Sequence, residues 1–461
     1  MRAGPAALLT EAGMSEPAAA RKAELFERAE GALREAAGDA AGTSRWFVPG
    51  RIEVLGKHTD YAGGRSLLGA VERGFCVLSR PRPDRVVRIL DAGRRTAAEM
   101  PLSERARPGA AGWTAYAAAV ARRVAGNFPG PLSGADIALA SDLPRASGMS
   151  SSSALVVSIF TALSRVNRLE ERLEYAENIR SPEDLAGYLG CVENGYAFGT
   201  FAGDEGVGTF GGSEDHTAIL CCRAGRLSRY AFCPVRAEGS VRLPPDWVFV
   251  LAVSGVSADK TGSARERYNR ASLAARAVLD LWNEATGRSD PTLGAAASRT
   301  SDAPERIRDV LRYRKHPDFA PQALRDRFDQ FFEESERIVP AAAKALSSGD
   351  MAALGSLVDR SQDRAERLLG NQIPETVTLA RSARNLGALA ASAFGGGFGG
   401  SVWALAPSGR AQEFREEWEA DYRGRYPEAA RSGEFFVSGA GPGLVPIDEP
   451  SPRAAAKDDA V

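Results

Sequence analysis

Apolar and polar positions alternate in two regimes along this chain. Before residue 240, short strand-like runs are interleaved with helices; beyond it, helical spacing dominates. "RWFVPGRIEVLG" predicts a strand interrupted at Pro49-Gly50. Its alternation puts Arg51, Glu53 and Leu55 on one face and Ile52 and Val54 on the other. "RGFCVLSRP", "DRVVRILDA" and "GADIALASDLP" predict further strands. "EPAAARKAELFERAEGALREAAG" predicts a helix with Leu25, Phe26 and Ala29 along one side, behind a frayed, Ala-rich tail over residues 1–20. "GWTAYAAAVARRVAGNF" and "SALVVSIFTALSRV" also read as helices. So does "SPEDLAGYLGCVENGYAF", with Ser181 as N-cap and Pro182 first in the helix. "TAILCCRAGRLSRYAF" predicts a hairpin turning at Ala224-Gly225.

Composition shifts at "RAEGSVRLPPDW". A strand, "DWVFVLAVSG", comes next, then helices over about 263–286, 302–313, 321–348, 351–369 and 374–388. A glycine-rich run at 394–400 leads into the strand "SVWALA"; a helix over 409–423 and the strand "EFFVSG" follow. Residues 447–461 read as a disordered tail. There is no internal repeat. The pattern predicts an α+β protein of two domains, 21–240 and 241–446.

Length supports two domains, since 461 residues exceed what one core usually serves. A formal net charge of -1 gives no reason to expect a nucleic acid or an anionic membrane as partner. No apolar run approaches the ~20 residues of a membrane span, and "MRAGPAALLTEAG" is too weakly apolar for a secretory signal. Five cysteines without a CxxC spacing predict reduced thiols in the cytoplasm. Three histidines are too few for a histidine-built metal site. The absence of heptads favours a monomer.

Chemistry concentrates in glycine- and serine-rich segments. "PGRIEVLGKHTDYAGG" packs Arg51, Lys57, His58, Thr59 and Asp60 between an apolar strand and a turn, as a pocket wall would. "DLPRASGMSSSSALVV" ends a strand at Pro144, turns at Gly148 and opens a helix with Ser150, Ser151, Ser152 and Ser153. Free N–H groups and the positive end of the helix dipole hold phosphate there, and serine hydroxyls can ligate Mg2+. Taken alone, the segment is equally an over-capped helix start; it is not a Walker loop. "SAFGGGFGGSVWAL" permits close backbone approach, for a ligand or simply for packing. Between them, "VENGYAFGTFAGDEGVGTFGGSEDHTAIL" carries Glu193 on a helix and brings Asp215-His216 out of glycines into a predicted strand. No G-x-S-x-G elbow supports a serine hydrolase.

Together and in this order, these segments resemble the GHMP kinase superfamily and, within it, the galactokinases, over about Trp46 to Leu405. The resemblance implies a two-domain GHMP kinase fold with the active site in the inter-domain cleft. It also implies transfer of the ATP γ-phosphoryl group to the anomeric hydroxyl of galactose, with ATP and Mg2+ as cofactors and a small sugar as partner. By the same resemblance Asp215 is the catalytic aspartate and Arg51 stabilises its charge and the transferring group. Lys57, His58, Asp60, Gly212 and Tyr268 fall at sugar-binding positions. Gly148 and Ser150 to Ser153 match the phosphate loop. Glu193 matches the magnesium-binding glutamate, with Ser151 or Ser152 completing the shell.

Three departures stand out. Galactokinases usually read Gly-Glu-His-Thr-Asp-Tyr where this chain reads Gly56-Lys57-His58-Thr59-Asp60-Tyr61. The usual Asp-Gln is Asp215-His216, and "FAGDEGVGTF" lengthens the path from Glu193 to Asp215. The family's glutamate accepts a hydrogen bond from the sugar's C6 hydroxyl, whereas Lys57 only donates. An ammonium there suits a carboxylate at C6, so a related sugar such as galacturonate is the alternative substrate. A non-catalytic ATP- and galactose-binding sensor is the alternative from another class.

Overall fold

The computed structural model describes residues 4–38, 42–109, 112–258 and 265–448. The Ser44–Leu55 strand runs through Pro49-Gly50 without a break. Its register against Arg65–Pro81 slips between Pro49 and Arg51, and again between Glu53 and Leu55. A bulge at this point accommodates the proline, which has no N–H for the ladder. The predicted interruption is therefore a bulge that re-aims Arg51.

These two strands lie within a nine-stranded sheet. Its main path runs Val445–Pro446, Ser44–Leu55, Arg65–Pro81, Ala135–Ser141, Val86–Asp91, Thr96–Pro101. Only Val86–Asp91 and Ala135–Ser141 pair in parallel. The Arg226–Ala231/Arg236–Arg242 hairpin and Ala440–Gly441 attach to the long central strand. A second, four-stranded antiparallel sheet is ordered Glu434–Ser438, Trp247–Val253, Ser401–Pro407, Ala390–Phe394. The chain passes from the first sheet to the second between Arg242 and Trp247 and returns to the first at Ala440.

One large apolar cluster joins the first sheet to the Thr114–Asn127 and Ser151–Asn167 helices; Ile52, Leu67, Val77, Val120, Val156 and Phe160 all belong to it. A separate cluster of Trp282, Leu293, Phe328 and Phe331 holds the helices that flank the cleft. The long predicted helix 321–348 is one helical run with a wide-turn segment at Glu333–Ile338. Such wide turns frequently mark functional sites.

Three expectations are corrected. Residues within 1–20 are not frayed where they are described: Pro5–Glu11 is a helix, and the next begins at Glu16. Leu9, Met14, Ala18 and Ala19 are buried with Phe47 and Leu78 on the sheet's outer face. Small alanines there make a close-packing surface rather than a loose one. The predicted Thr217–Phe232 hairpin is also replaced, by a Glu214–Cys221 helix leading into the Arg226–Ala231 strand. Ser213 followed by Glu214 and Asp215 is a helix-start pattern of the kind that places Ser181 before its helix. Ile447, expected to open a disordered tail, is buried; residues 449–461 lie outside the described residues.

Candidate active site

Arg51 and Asp215 meet at the centre of a cleft. The bulged strand supplies Arg51, and the first turn of the Glu214–Cys221 helix supplies Asp215. Arg51 Nε donates to Asp215 Oδ1 at 2.7 Å, Nη2 lies 2.6 Å from the same oxygen, and Nη1 donates to the Gly148 carbonyl. Burial opposes the charge on Arg51, but Asp215, Glu214 and Glu53 outweigh it and hold the guanidinium's pKa above its ordinary value. Arg51 therefore stays charged and bridges Asp215 to the serine-rich loop.

That loop separates two cavities. Ser150, Ser151 and Ser152, with Gly148, line a cavity of ≈ 670 Å³ walled by Phe75, Ile89, Trp113, Tyr116, Leu139 and Leu143, with Arg28, Arg94 and Arg145 at its polar margin. This size falls within the range of small-molecule and cofactor pockets. Ser153 faces the other cavity, together with Arg51, Glu53, His58, Asp60, Glu193, Gly212, Glu214, Asp215, His216 and Tyr268. Ser150 caps the helix from a left-handed conformation, φ 60°, and its buried Oγ has no partner among the described residues.

Ser153 Oγ donates to Glu193 Oε2 at 2.9 Å and lies 3.4 Å from Asp215 Oδ2. Of the serines expected to join Glu193, Ser151 and Ser152 lie instead in the other cavity. The His216 ring nitrogen Nε2 lies 3.2 Å from Glu193 Oε2, within ion-pair reach but off-line for a hydrogen bond. Among the described residues no group of three or more His, Cys, Asp or Glu could by itself hold a metal ion. A Glu carboxylate beside a Ser hydroxyl is still a hard-oxygen pair of the kind that holds Mg2+ alongside phosphate and water.

The sugar-motif loop is built into the helices opposite. Glu334 Oε1 accepts from Gly56 N at 2.7 Å and from Ser361 Oγ at 2.9 Å. Gln330 donates to the Lys57 carbonyl at 3.0 Å, and Arg327 to the His58 carbonyl at 2.5 Å and to Tyr61 OH at 3.1 Å. These bonds hold His58 at φ 56°, a left-handed conformation costly for a residue with a Cβ. The Gly396 carbonyl can only accept, so His58 Nε2–H donates to it at 3.1 Å, while Nδ1 lies 3.0 Å from the Tyr61 hydroxyl that Arg327 also contacts. His58 thus lines the cleft with both ring nitrogens engaged. Tyr268 packs against it, with ring centroids 5.3 Å apart.

Lys57 does not line the cleft. It is buried, and its Nζ donates to Ser361 Oγ at 2.9 Å, on the far side of the loop. Its expected place among the sugar ligands is therefore not where the structure puts it. A lysine flanked by Glu53, Glu334 and Ser361 finds counter-charge and acceptors inside the protein. Asp60 does line the cleft, and its Oδ2 accepts from Glu214 N at 3.1 Å. Gly212 is required beside it: a Cβ there would lie 2.3 Å from Asp60 Oδ2.

Sequence reasoning missed two acids. Glu53 and Glu214 are both buried and both line the sugar-side cavity. Burial pushes the Glu53 carboxyl up to about 7 against the pull of Arg51 and Lys57. Burial, with Glu53 and Asp60 nearby, pushes Glu214 well above the carboxylate range. The strand's alternation already put Glu53 on the face of Arg51, and that was the available signal. The aromatic walls of the other cavity, Trp113 and Tyr116, carried none.

This fold and cleft define a class, the GHMP kinases. Residues 115–197 match the model "GHMP kinases N terminal domain", and residues 342–424 match "GHMP kinases C terminal". Residues 33–81 match the "Galactokinase galactose-binding signature". A galactokinase of Roseiflexus sp. (strain RS-1) is 30% identical, aligning over 86% of this chain and 91% of its own length. One from Chloroflexus aggregans is 28% identical over 86% and 92%. The fold is shared with Lactococcus lactis galactokinase complexed with galactose, at TM-score 0.74 and 22% identity, covering 92% of this chain and 98% of that one. The chain belongs to the galactokinase family.

Proposed function

We propose that this chain transfers the γ-phosphoryl group of ATP to the anomeric hydroxyl of galactose, giving galactose 1-phosphate. The observation that carries this reading is the Arg51–Asp215 pair, buried between a serine-opened helix and the galactose-signature loop. Family membership supports the sugar-kinase class, and the residue roles below follow the resemblance together with the geometry of the cleft.

Asp215 takes the proton of the anomeric hydroxyl as it attacks. Arg51 holds that carboxylate ionised and in place, and its second edge faces the phosphate loop through the Gly148 carbonyl. The N–H groups opening the Ser151–Asn167 helix receive phosphate oxygens, helped by the helix dipole. The aromatic cavity beside Ser150 to Ser152 takes the base. Glu193 and Ser153 would hold Mg2+, which when bound neutralises charge on the phosphates. Asp60 accepts sugar hydroxyls, Gly212 lets the sugar approach the backbone, and Tyr268 with His58 closes the pocket.

The galacturonate alternative loses its support, because the lysine that motivated it faces Ser361. The paired Arg51 and Asp215 favour turnover over a sensor role. Five free cysteines suit a cytoplasmic protein, and no helix among the described residues is long and apolar enough to cross a membrane. We propose that the enzyme acts as a monomer. Incubation with MgATP and a panel of galactose, N-acetylgalactosamine, glucose, arabinose and galacturonate tests the activity. The expected result is ADP release dependent on galactose; no sugar-dependent release overturns the reading.

A further inference from the structure

Glu53 and Glu214 have no part in the phosphoryl-transfer chemistry, yet both face the sugar. Their partners within the protein are few. Glu53 Oε2 accepts from Gly395 N at 3.3 Å, and among the described residues Oε1 meets no N–H or hydroxyl donor. Glu214 Oε2 accepts from Ser66 Oγ at 2.5 Å, and its other oxygen lies 3.9 Å from Arg51 Nε. Burial and the neighbouring Glu53 both raise the Glu214 carboxyl pKa, so the two acids stand side by side in the cavity wall.

The charges around the pair are Arg51, Lys57, Asp60, Asp215 and Glu334. Arg51 is committed to Asp215 and the Gly148 carbonyl; Lys57 approaches Glu53 from behind, outside the cavity. Glu53 lines the cavity, and its buried Oε1 is left short of a donor among the described residues. That is costly unless a ligand supplies the donor. A sugar hydroxyl supplies one. A substrate carboxylate supplies none and adds like charge to a site already holding Glu53, Asp60 and Asp215.

We infer that Glu53 is a specificity-determining residue that accepts a hydrogen bond from a hydroxyl of a neutral sugar and excludes sugars bearing a carboxylate. In this chain the acceptor stands at position 53 on the strand, while the loop position 57 is occupied by a cation turned inward. The inference rests on the sugar-binding part of the proposed function and not on turnover.

Calorimetric binding of sugars to the full chain tests it, since binding is read whether or not ADP is released. Wild type should bind galactose at least about 100-fold more tightly than galacturonate. Glu53→Gln, which keeps shape and removes charge, should weaken galactose binding about 10-fold and narrow that ratio. Glu53→Asp, which keeps charge and shortens reach, should weaken galactose binding but preserve the ratio. Thermal melts report whether each variant folds; if the glutamine variant does not, the wild-type ratio and the aspartate variant still decide. Galacturonate binding as tightly as galactose, no neutral sugar binding at all, or galactose affinity unchanged in both variants would each overturn it. Galactose binding without ADP release would instead overturn the kinase reading and leave this inference standing.

Discussion

The two ends of the cleft are built on opposite principles. The proposed sugar end is polar, buried and cross-braced: Glu334, Gln330 and Arg327 hold the backbone of residues 56–58, and Ser361 ties Glu334 to Lys57. The proposed nucleotide end has apolar walls, Phe75, Ile89, Trp113, Tyr116 and Leu139, beside a serine-rich helix start. Discriminating one hexose from another requires donors and acceptors placed within a few tenths of an ångström. Hydrogen-bond mismatches in such a buried site are strongly penalised. Holding a flat base requires area and shape, which apolar walls supply without a network. A mutation at one end should therefore disturb one substrate and spare the other.

The largest expected effect lies where the two ends meet. Asp215→Asn should lower kcat by roughly 10³-fold or more while galactose still binds, as single-turnover kinetics and calorimetry would show. Next in size is the brace. Lys57→Met leaves Glu334 and Glu53 short of a buried cation and should cost about 3 kcal/mol in chemical denaturation. It should also raise the KM for galactose and leave the KM for ATP near wild type. A rise in both KM values would dissolve the separation between the ends. Trp113→Ala gives the mirror image, with KM for ATP up about 10-fold and galactose affinity unchanged.

The smallest effect is on pH dependence. Glu53 titrates near 7 in the folded protein against an ordinary 4.5. Between those values the folded state holds a proton that the unfolded state has released. By linkage, stability then falls as pH rises from about 4.5 to about 7, with the full cost present above that range. Thermal melts of Glu53→Gln should gain on wild type as pH rises across this window, and parallel melts would contradict the assignment.

The legibility of the molecule in its sequence divides along the same line. The Pro182–Asn194 helix, its Ser181 cap and the helices after residue 265 follow from local capping and apolar spacing. The candidate catalytic residues were readable because their motifs are local. The Glu214–Cys221 helix was not recognised because the glycines before it suggested a strand; its cap pattern was present but overridden. The direction of Lys57 was invisible. It depends on Ser361 and Glu334, 304 and 277 residues away along the chain, which no local pattern connects to the loop. The division of the serines between two cavities is likewise a matter of helix phase and packing. Position along the sequence favoured Ser151 and Ser152 for Glu193, whereas the helix turns Ser153 toward it.

The central claim is that the Arg51–Asp215 pair directs phosphoryl transfer to one hydroxyl, the anomeric one. Phosphorus NMR of the product formed from galactose and MgATP reads this directly. The account predicts a single α-galactose 1-phosphate signal appearing in step with ADP, absent from the Asp215→Asn reaction. Phosphate on another carbon, or ADP released without a sugar phosphate, would contradict it.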